Sequence, residues 1–225
     1  MTNGWAHVAR LRQGLYRFFA AGLLPPDPER LVKLAAAAKL LDEAGIDAFA
    51  FAGPWKALVL SVSRLPAAEA LQVEYLRLFV VGVDGALCPP VESYYVASPR
   101  GGGPAIVTGE LEREYRRLGL VSTPARSTAS DHVATELELM ASLCGRESRA
   151  WAKGRVAEVA GILEKEHGFL RRHLGRWFPT FARGVSEKAP PGFYRTLVET
   201  AGAFLHHDQE LVGLRTMHLA REGVA

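Results

Sequence analysis

Residues 130–144, SDHVATELELMASLC, are the stretch on which the fold turns. Val133, Leu137, Met140, Ala141 and Cys144 recur at i, i+4, i+7, i+8 and i+11, which is one face of an α-helix. Leu139 and Leu143 widen that face and leave only Thr135, Glu138 and Ser142 as a polar strip, so the helix is buried around most of its circumference. Ser130 or Asp131 is the expected N-cap, and an acidic residue suits the positive end of the helix dipole. His132 and Glu136 break the pattern. They lie one turn apart on the edge that carries Leu139 and Leu143, so both are withdrawn from water, where an unpaired polar group is costly. Either they form a local His–Glu pair bracing the helix start, or they belong to a functional site.

Periodicity of the same kind runs through the rest of the 225 residues. Trp5, Val8, Leu11, Leu15, Phe18 and Gly22 mark a first amphipathic helix that stops before Pro25-Pro26. Asp27-Pro28 is a helix start, with aspartate as cap and proline at the first helical position, and Leu31 to Glu43 ends near Gly45. Pro54-Trp55 and Pro66 open two more helices, the second carrying Leu71, Tyr75, Leu78 and Phe79 up to Gly82. Ile106 to Leu118 is helical, with Gly119 as the residue after its end. Beyond Gly145-Arg146 come a helix with Val156, Val159, Ala160 and Leu163, and a short one from Phe169 to Trp177 stopped by Pro179. A long last helix follows Pro190-Pro191. No repeat and no strand pairing stands out. The expectation is an all-α, single-domain bundle over 1–225 with roughly nine or ten helices, and flexible segments near 82–104 and 121–130.

Composition narrows the function classes. Hydrophobic residues make up 48% and charged residues 23% of the chain, an ordinary globular balance. A net charge of +3 is too weak and too dispersed for a nucleic-acid stripe, and a solvated helix face accounts for the Arg171, Arg172 and Arg176 cluster. Two cysteines, Cys88 and Cys144, do not make a disulfide framework, and Cys144 reads as a small hydrophobe. No apolar run reaches the roughly 18–20 residues that span a bilayer. Arginines interleave with the apolar positions near the N-terminus, unlike a signal peptide. The expectation from these features is a cytoplasmic protein, without stable membrane insertion and without nucleic acid as partner.

Catalytic signatures are lacking. Gly101-Gly102-Gly103 follows no strand and precedes Pro104, so it is neither a P-loop nor a dinucleotide fingerprint, and there is no G-x-S-x-G elbow. His132/Glu136 and His206/Glu210 both have i, i+4 spacing, and Glu164-x-x-His167 matches half of a carboxylate-bridged di-iron pattern whose second half is missing. A helical metalloenzyme using His132, Glu136 and a further histidine from the last helix is the alternative reading.

Four strings in register point elsewhere. Glu74 to Phe79 reads E-Y-x-x-L-F, and Pro89 to Tyr94 reads P-P-x-E-S-Y. Asp131 to Met140 reads D-H-x-x-x-E-L-x-x-M, and Phe169 to Phe181 reads F-L-x-x-H-L-x-x-W-x-P-x-F. Together, in an all-helical chain of this length, they resemble the TorD/DmsD/NarJ family of redox-enzyme maturation chaperones. The resemblance covers roughly Leu71 to Phe181 by motif. It implies a cytoplasmic chaperone without turnover; no cofactor of its own is expected, and a monomer and a dimer that exchanges helices across the link before Ser130 both stay open. Its partner would be the catalytic subunit of a molybdenum-cofactor oxidoreductase and that subunit's twin-arginine leader, retained until the cofactor is inserted. In the family the Asp-His pair lies at the leader-binding groove, which carries over to Asp131 and His132. The chain departs from the family just before that pair, where Ala129-Ser130 replaces proline or acidic residues. A leader offers two guanidinium groups and an apolar helix, so its receptor needs carboxylates beside an apolar groove. Glu74, Glu92, Asp84, Asp131 and Glu136 are the candidate acids; for Glu74 and Glu92 the alternative is a buried carboxylate accepting backbone N–H groups of the irregular segment, and for Glu92 that alternative is the favoured reading, because P-P-x-E-S is built to order a loop.

Overall fold

Asp27 shows how directly the sequence sets the helix boundaries. Its carboxylate accepts from the Arg30 amide at 2.8 Å, with Pro28 in the first turn, and so starts α2 (Pro28–Glu43) after α1 (Thr2–Gly22). Gly45, at φ 97°, takes the left-handed conformation that ends this hairpin. There follow α3 (Ala52–Val62), α4 (Ala68–Tyr75), α5 (Glu92–Tyr95), α6 (Pro104–Arg117), α7 (Val133–Ala152), α8 (Val156–Arg172), α9 (Leu174–Lys188) and α10 (Phe193–Arg221). The computed structural model describes residues 2–81, 85–96, 104–119 and 129–222. Among them there are ten α-helices and no strand, as the periodicity predicts. Asp84, the Gly101–Gly103 run, residues 82–84 and 97–103 of the 82–104 segment and most of the 121–130 segment lie outside the described residues.

α7 is the buried helix its sequence promises. Val133, Leu137, Met140, Leu143 and Cys144 are fully buried, and Thr135, Glu138 and Ser142 form the less buried strip. It lies along α1, with α8 on its other side, and α10 spans the far side against α3, α8 and α9. One cluster of buried side chains runs from Ala6 to Leu219. Aromatic rings knit it together: Phe19 stacks on Phe204 at 5.5 Å and Phe18 meets Trp55 edge-on at 5.4 Å.

Three boundaries differ from expectation. The N-cap of α7 is His132 rather than Ser130 or Asp131; its ring accepts from the Ala134 amide at 3.1 Å. Gly145 does not end α7. A Cβ there would lie 2.4 Å from Nε2 of Gln13, so this glycine makes room for the Gln13 side-chain amide of α1, and the helix runs on to Ala152, just before Gly154 at φ 64°. Pro179 does not end a short helix either. The break comes earlier, at His173 (φ −121°, ψ −101°), and Pro179 sits inside α9, which forgoes one backbone bond there while Trp177, Phe178 and Phe181 bury its face.

Candidate functional site

The four strings recognised in the sequence converge on one place. Residues 90–92 pair with 131–133 in a short antiparallel contact: the Glu92 amide donates to the Asp131 carbonyl and the Val133 amide to the Pro90 carbonyl, both at 2.9 Å. Ser93 Oγ donates to the Asp131 carboxylate at 2.5 Å. The Glu92 carboxylate faces Nδ1 of His173 at 2.9 Å, and Tyr95 stacks on Trp177 at 5.5 Å. Trp177 Nε1 donates to Oε2 of Glu136 at 3.2 Å. Phe181 reaches Phe79 at 6.0 Å, which ties in the first string.

Asp131, His132, Glu92 and Glu136 are therefore brought together, while Glu74 stands apart on α4. The four are not the open acidic trough that the sequence predicts. Asp131, Glu92 and Glu136 are 4%, 2% and 0% exposed, and their carboxylates are largely occupied by Ser93, His173 and Trp177. Burial, reinforced by the charges of Glu92 and Asp131, pushes the Glu136 carboxyl well above its usual range. Burial lowers His132 to about 4 against the opposing pull of Asp131. The imidazole is thus neutral at pH 7, with Nδ1 as acceptor and the proton on Nε2. The local His132–Glu136 pair does not form, because Glu136 turns to Trp177 and His132 caps its own helix. Glu92 takes the His173 ring rather than backbone N–H groups.

Glu74 is different. It is half-buried at the margin between the packed Leu71, Tyr75 and Leu78 and the solvent side, and its Oε1 is buried without a hydrogen-bond partner. Desolvation raises its carboxyl, with Arg77 acting in the opposite sense. Beyond it α4 widens into a π-helical turn, Leu76–Val80, closed by the Val81 amide on the Leu76 carbonyl at 2.8 Å. Along the outer side of this element Val73, Leu76, Val80 and Val81 are 68%, 49%, 50% and 62% exposed. That is an apolar stripe on the surface next to an unspent carboxylate.

Sequence reasoning missed a second polar cluster, inside the bundle. The guanidinium of Arg12, 3% exposed, meets Asp208, Glu147 and Glu166, each at 2.5 Å. Tyr16 donates to Asp208 at 2.6 Å and Trp151 to Glu147 at 3.0 Å. Glu166 Oε1 has no partner, and burial lifts this carboxyl to about 8 although Arg12 pulls it down. The Cys144 thiol adjoins the cluster and is raised by burial, so it stays protonated. The four charged residues come from α1, α7, α8 and α10, and each looks like a solvated charge in its own stretch. The one hint is Arg12 beside Leu11 and Leu15 on the apolar side of α1. Ligand-type groups from Cys144, Glu147 and Glu166 come within 4.8 Å of one another here, but Arg12 already supplies a cation to both carboxylates. His132, Glu136 and a histidine of α10 form no such group among the described residues. His206 instead pairs with Glu210 on the surface at 3.6 Å.

Comparison with known proteins agrees with this architecture. The chain is 30% identical over 145 residues to the chaperone protein TorD of Salmonella bongori, covering 63% of this chain and 58% of that protein. It is 32% identical over 151 residues to the selenate reductase assembly chaperone protein of Thauera selenatis, covering 66% and 76%. It is 34% identical over 113 residues to the chlorate reductase assembly chaperone protein of Ideonella dechloratans, covering 50% and 56%. The chain thus spans little more than half the length of two of these three relatives, and all three are named as chaperones rather than catalysts. A crystal structure from Archaeoglobus fulgidus, described as a redox enzyme maturation protein, shares the fold with a TM-score of 0.57 and 23% identity, over 87% of this chain and 93% of that one. The family model described as nitrate reductase delta subunit matches residues 35–183. With the four strings joined in one knot at its centre, the chain belongs to this nitrate reductase delta subunit family, which includes the TorD and NarJ chaperones.

Proposed function

We propose that this protein is a cytoplasmic assembly chaperone for a molybdenum-cofactor reductase subunit, which it holds by its twin-arginine leader until the cofactor is in place. The names of the TorD, selenate reductase and chlorate reductase relatives support the chaperone role. The observation that carries the leader reading is the stripe Val73, Leu76, Val80 and Val81 beside Glu74. A leader presents an apolar helix behind paired guanidinium groups. The stripe buries the first, and Glu74 accepts from the second in a charge-assisted bond that relieves its own desolvation. Asp131, His132, Glu92 and Glu136 act as positioning residues in this reading. They hold segment 90–96 against α9, whose Phe181 supports Phe79 beneath the stripe.

The test is titration of a synthetic twin-arginine leader by calorimetry. Glu74→Gln weakens binding by about tenfold or more, as expected for one hydrogen bond to a charged group, and Val73→Asp with Leu76→Asp abolishes it. Equal affinity of these variants and the parent protein refutes the location. Absence of binding to the parent protein refutes the leader reading itself.

A further inference from the structure

We propose that Arg77 is a positioning and affinity-limiting residue of the leader site: tethered to the end of α9, it leaves the Glu74 carboxylate open for an incoming guanidinium while its own charge opposes that guanidinium. This inference rests on the leader reading and adds to it how the site is kept open and its client released. In a regular helix a glutamate and an arginine three positions on share a face and pair. Glu74 and Arg77 have that spacing, yet Oε1 of Glu74 is buried without a hydrogen-bond partner. The helix widens into its π-helical turn at Leu76, and Nη2 of Arg77 donates instead to the carbonyl of Lys188, the last residue of α9, at 3.3 Å. A helix C-terminus is a favourable place for a cation. Lys188 is held in turn, its Nζ donating to the Leu87 carbonyl at 2.7 Å, and the Cys88 amide donates to the Leu78 carbonyl at 2.8 Å. These three bonds seat the π-helical turn on α9 and on segment 85–88. The cation one turn from Glu74 is therefore engaged elsewhere.

Arg77 still acts on Glu74 through space, its field opposing the desolvation of that carboxyl. The other titratable groups beside Glu74 are phenols, Tyr75 on α4 and Tyr194 on α10, both raised by burial and so neutral. Arg30 of α2 acts on Tyr75, and Lys188 and Glu187 of α9 act on Cys88. One cation thus does two opposed things. It favours the ionised Glu74 that a leader guanidinium needs, and it repels that guanidinium once docked. Both effects arise at a half-exposed surface, so each is small and screened by salt. A receptor that must surrender its client benefits from the pair: the carboxylate stays ready and the complex stays reversible.

Calorimetric titration of the synthetic twin-arginine leader across pH tests the proposal. At pH 8 Arg77→Gln should tighten binding about two- to fivefold, the scale of one exposed charge pair. The gain should shrink towards pH 5, because without Arg77 the Glu74 carboxyl protonates at higher pH and the acid limb of binding moves up with it. Arg77→Lys keeps the charge and should match the parent protein, and at about 1 M salt the Gln variant should match it too. Arg77 is exposed, and circular dichroism confirms that the variants are folded. Binding at pH 8 that is unchanged or weaker in Arg77→Gln, as loss of a purely structural tether would give, overturns the proposal, and so does an acid limb that stays in place. Either result with a parent protein that binds the leader leaves the leader reading standing; no binding by the parent protein overturns both.

Discussion

Replacing Arg12 by Met keeps most of the side chain's volume and removes the cation that pairs directly with Asp208, Glu147 and Glu166, leaving only the weaker pull of Arg215 on Glu147. The ordinary carboxyl value is 4.5 for the two glutamates, so forcing one such group neutral at pH 7 costs about 3.4 kcal/mol, at 1.36 kcal/mol per unit. Glu166, already lifted to about 8, is mostly protonated in the parent protein at that pH and adds little. Glu147 and Asp208, 4% and 0% exposed, would carry the new cost. Some of it is avoided by relaxation and by the bonds from Trp151 and Tyr16 that survive. The net loss is then about 3–5 kcal/mol at pH 7, the range for stripping one partner from a buried ion pair. At pH 5.5 the same neutralisation costs only about 1.4 kcal/mol per group, so at least about 2 kcal/mol of the loss should return. Denaturant unfolding followed by circular dichroism, on parent and variant at both pH values, measures this. A loss below about 1 kcal/mol at pH 7, or a loss of equal size at pH 5.5, refutes the view that Arg12 is the counter-charge that lets these acids stay buried.

Two further outcomes follow from the same buried groups. Glu166 has a folded value near 8, above its ordinary 4.5. Its contribution is fully present below pH 4.5 and is lost as pH rises through 8, so Glu166→Gln should flatten the fall in stability of the parent protein between pH 7 and 8.5, measured by thermal unfolding across pH; an unchanged slope refutes this assignment. Trp177→Phe leaves Glu136 without its donor in the core and should cost about 1–3 kcal/mol in denaturant unfolding. Adding Glu136→Leu should recover part of that, and a double variant no better than the single one would show that the bond contributes nothing.

The helical class, the Asp27-Pro28 start of α2 and the buried face of α7 were all legible from residue order. They depend on spacing along one chain, where a period of 3.6 and a capping side chain act within a few residues. The four strings were legible as a set for the same reason, and with them the family. Their meaning as one knot, in which Glu92 meets His173 and Glu136 meets Trp177, was not, because these partners lie 81 and 41 residues apart. Tertiary structure alone decided that Asp131 is spent on Ser93, that Gly145 lies inside α7 against the Gln13 side chain instead of at a helix end, and that Arg12 gathers acids from three other helices. It also decided that Arg77 reaches the end of α9 rather than Glu74. A carboxylate reads the same in a sequence whether its counter-charge is solvent or an arginine 196 residues away. Only packing determines which of the two it has, and so whether the group holds the fold together or is left to bind a partner.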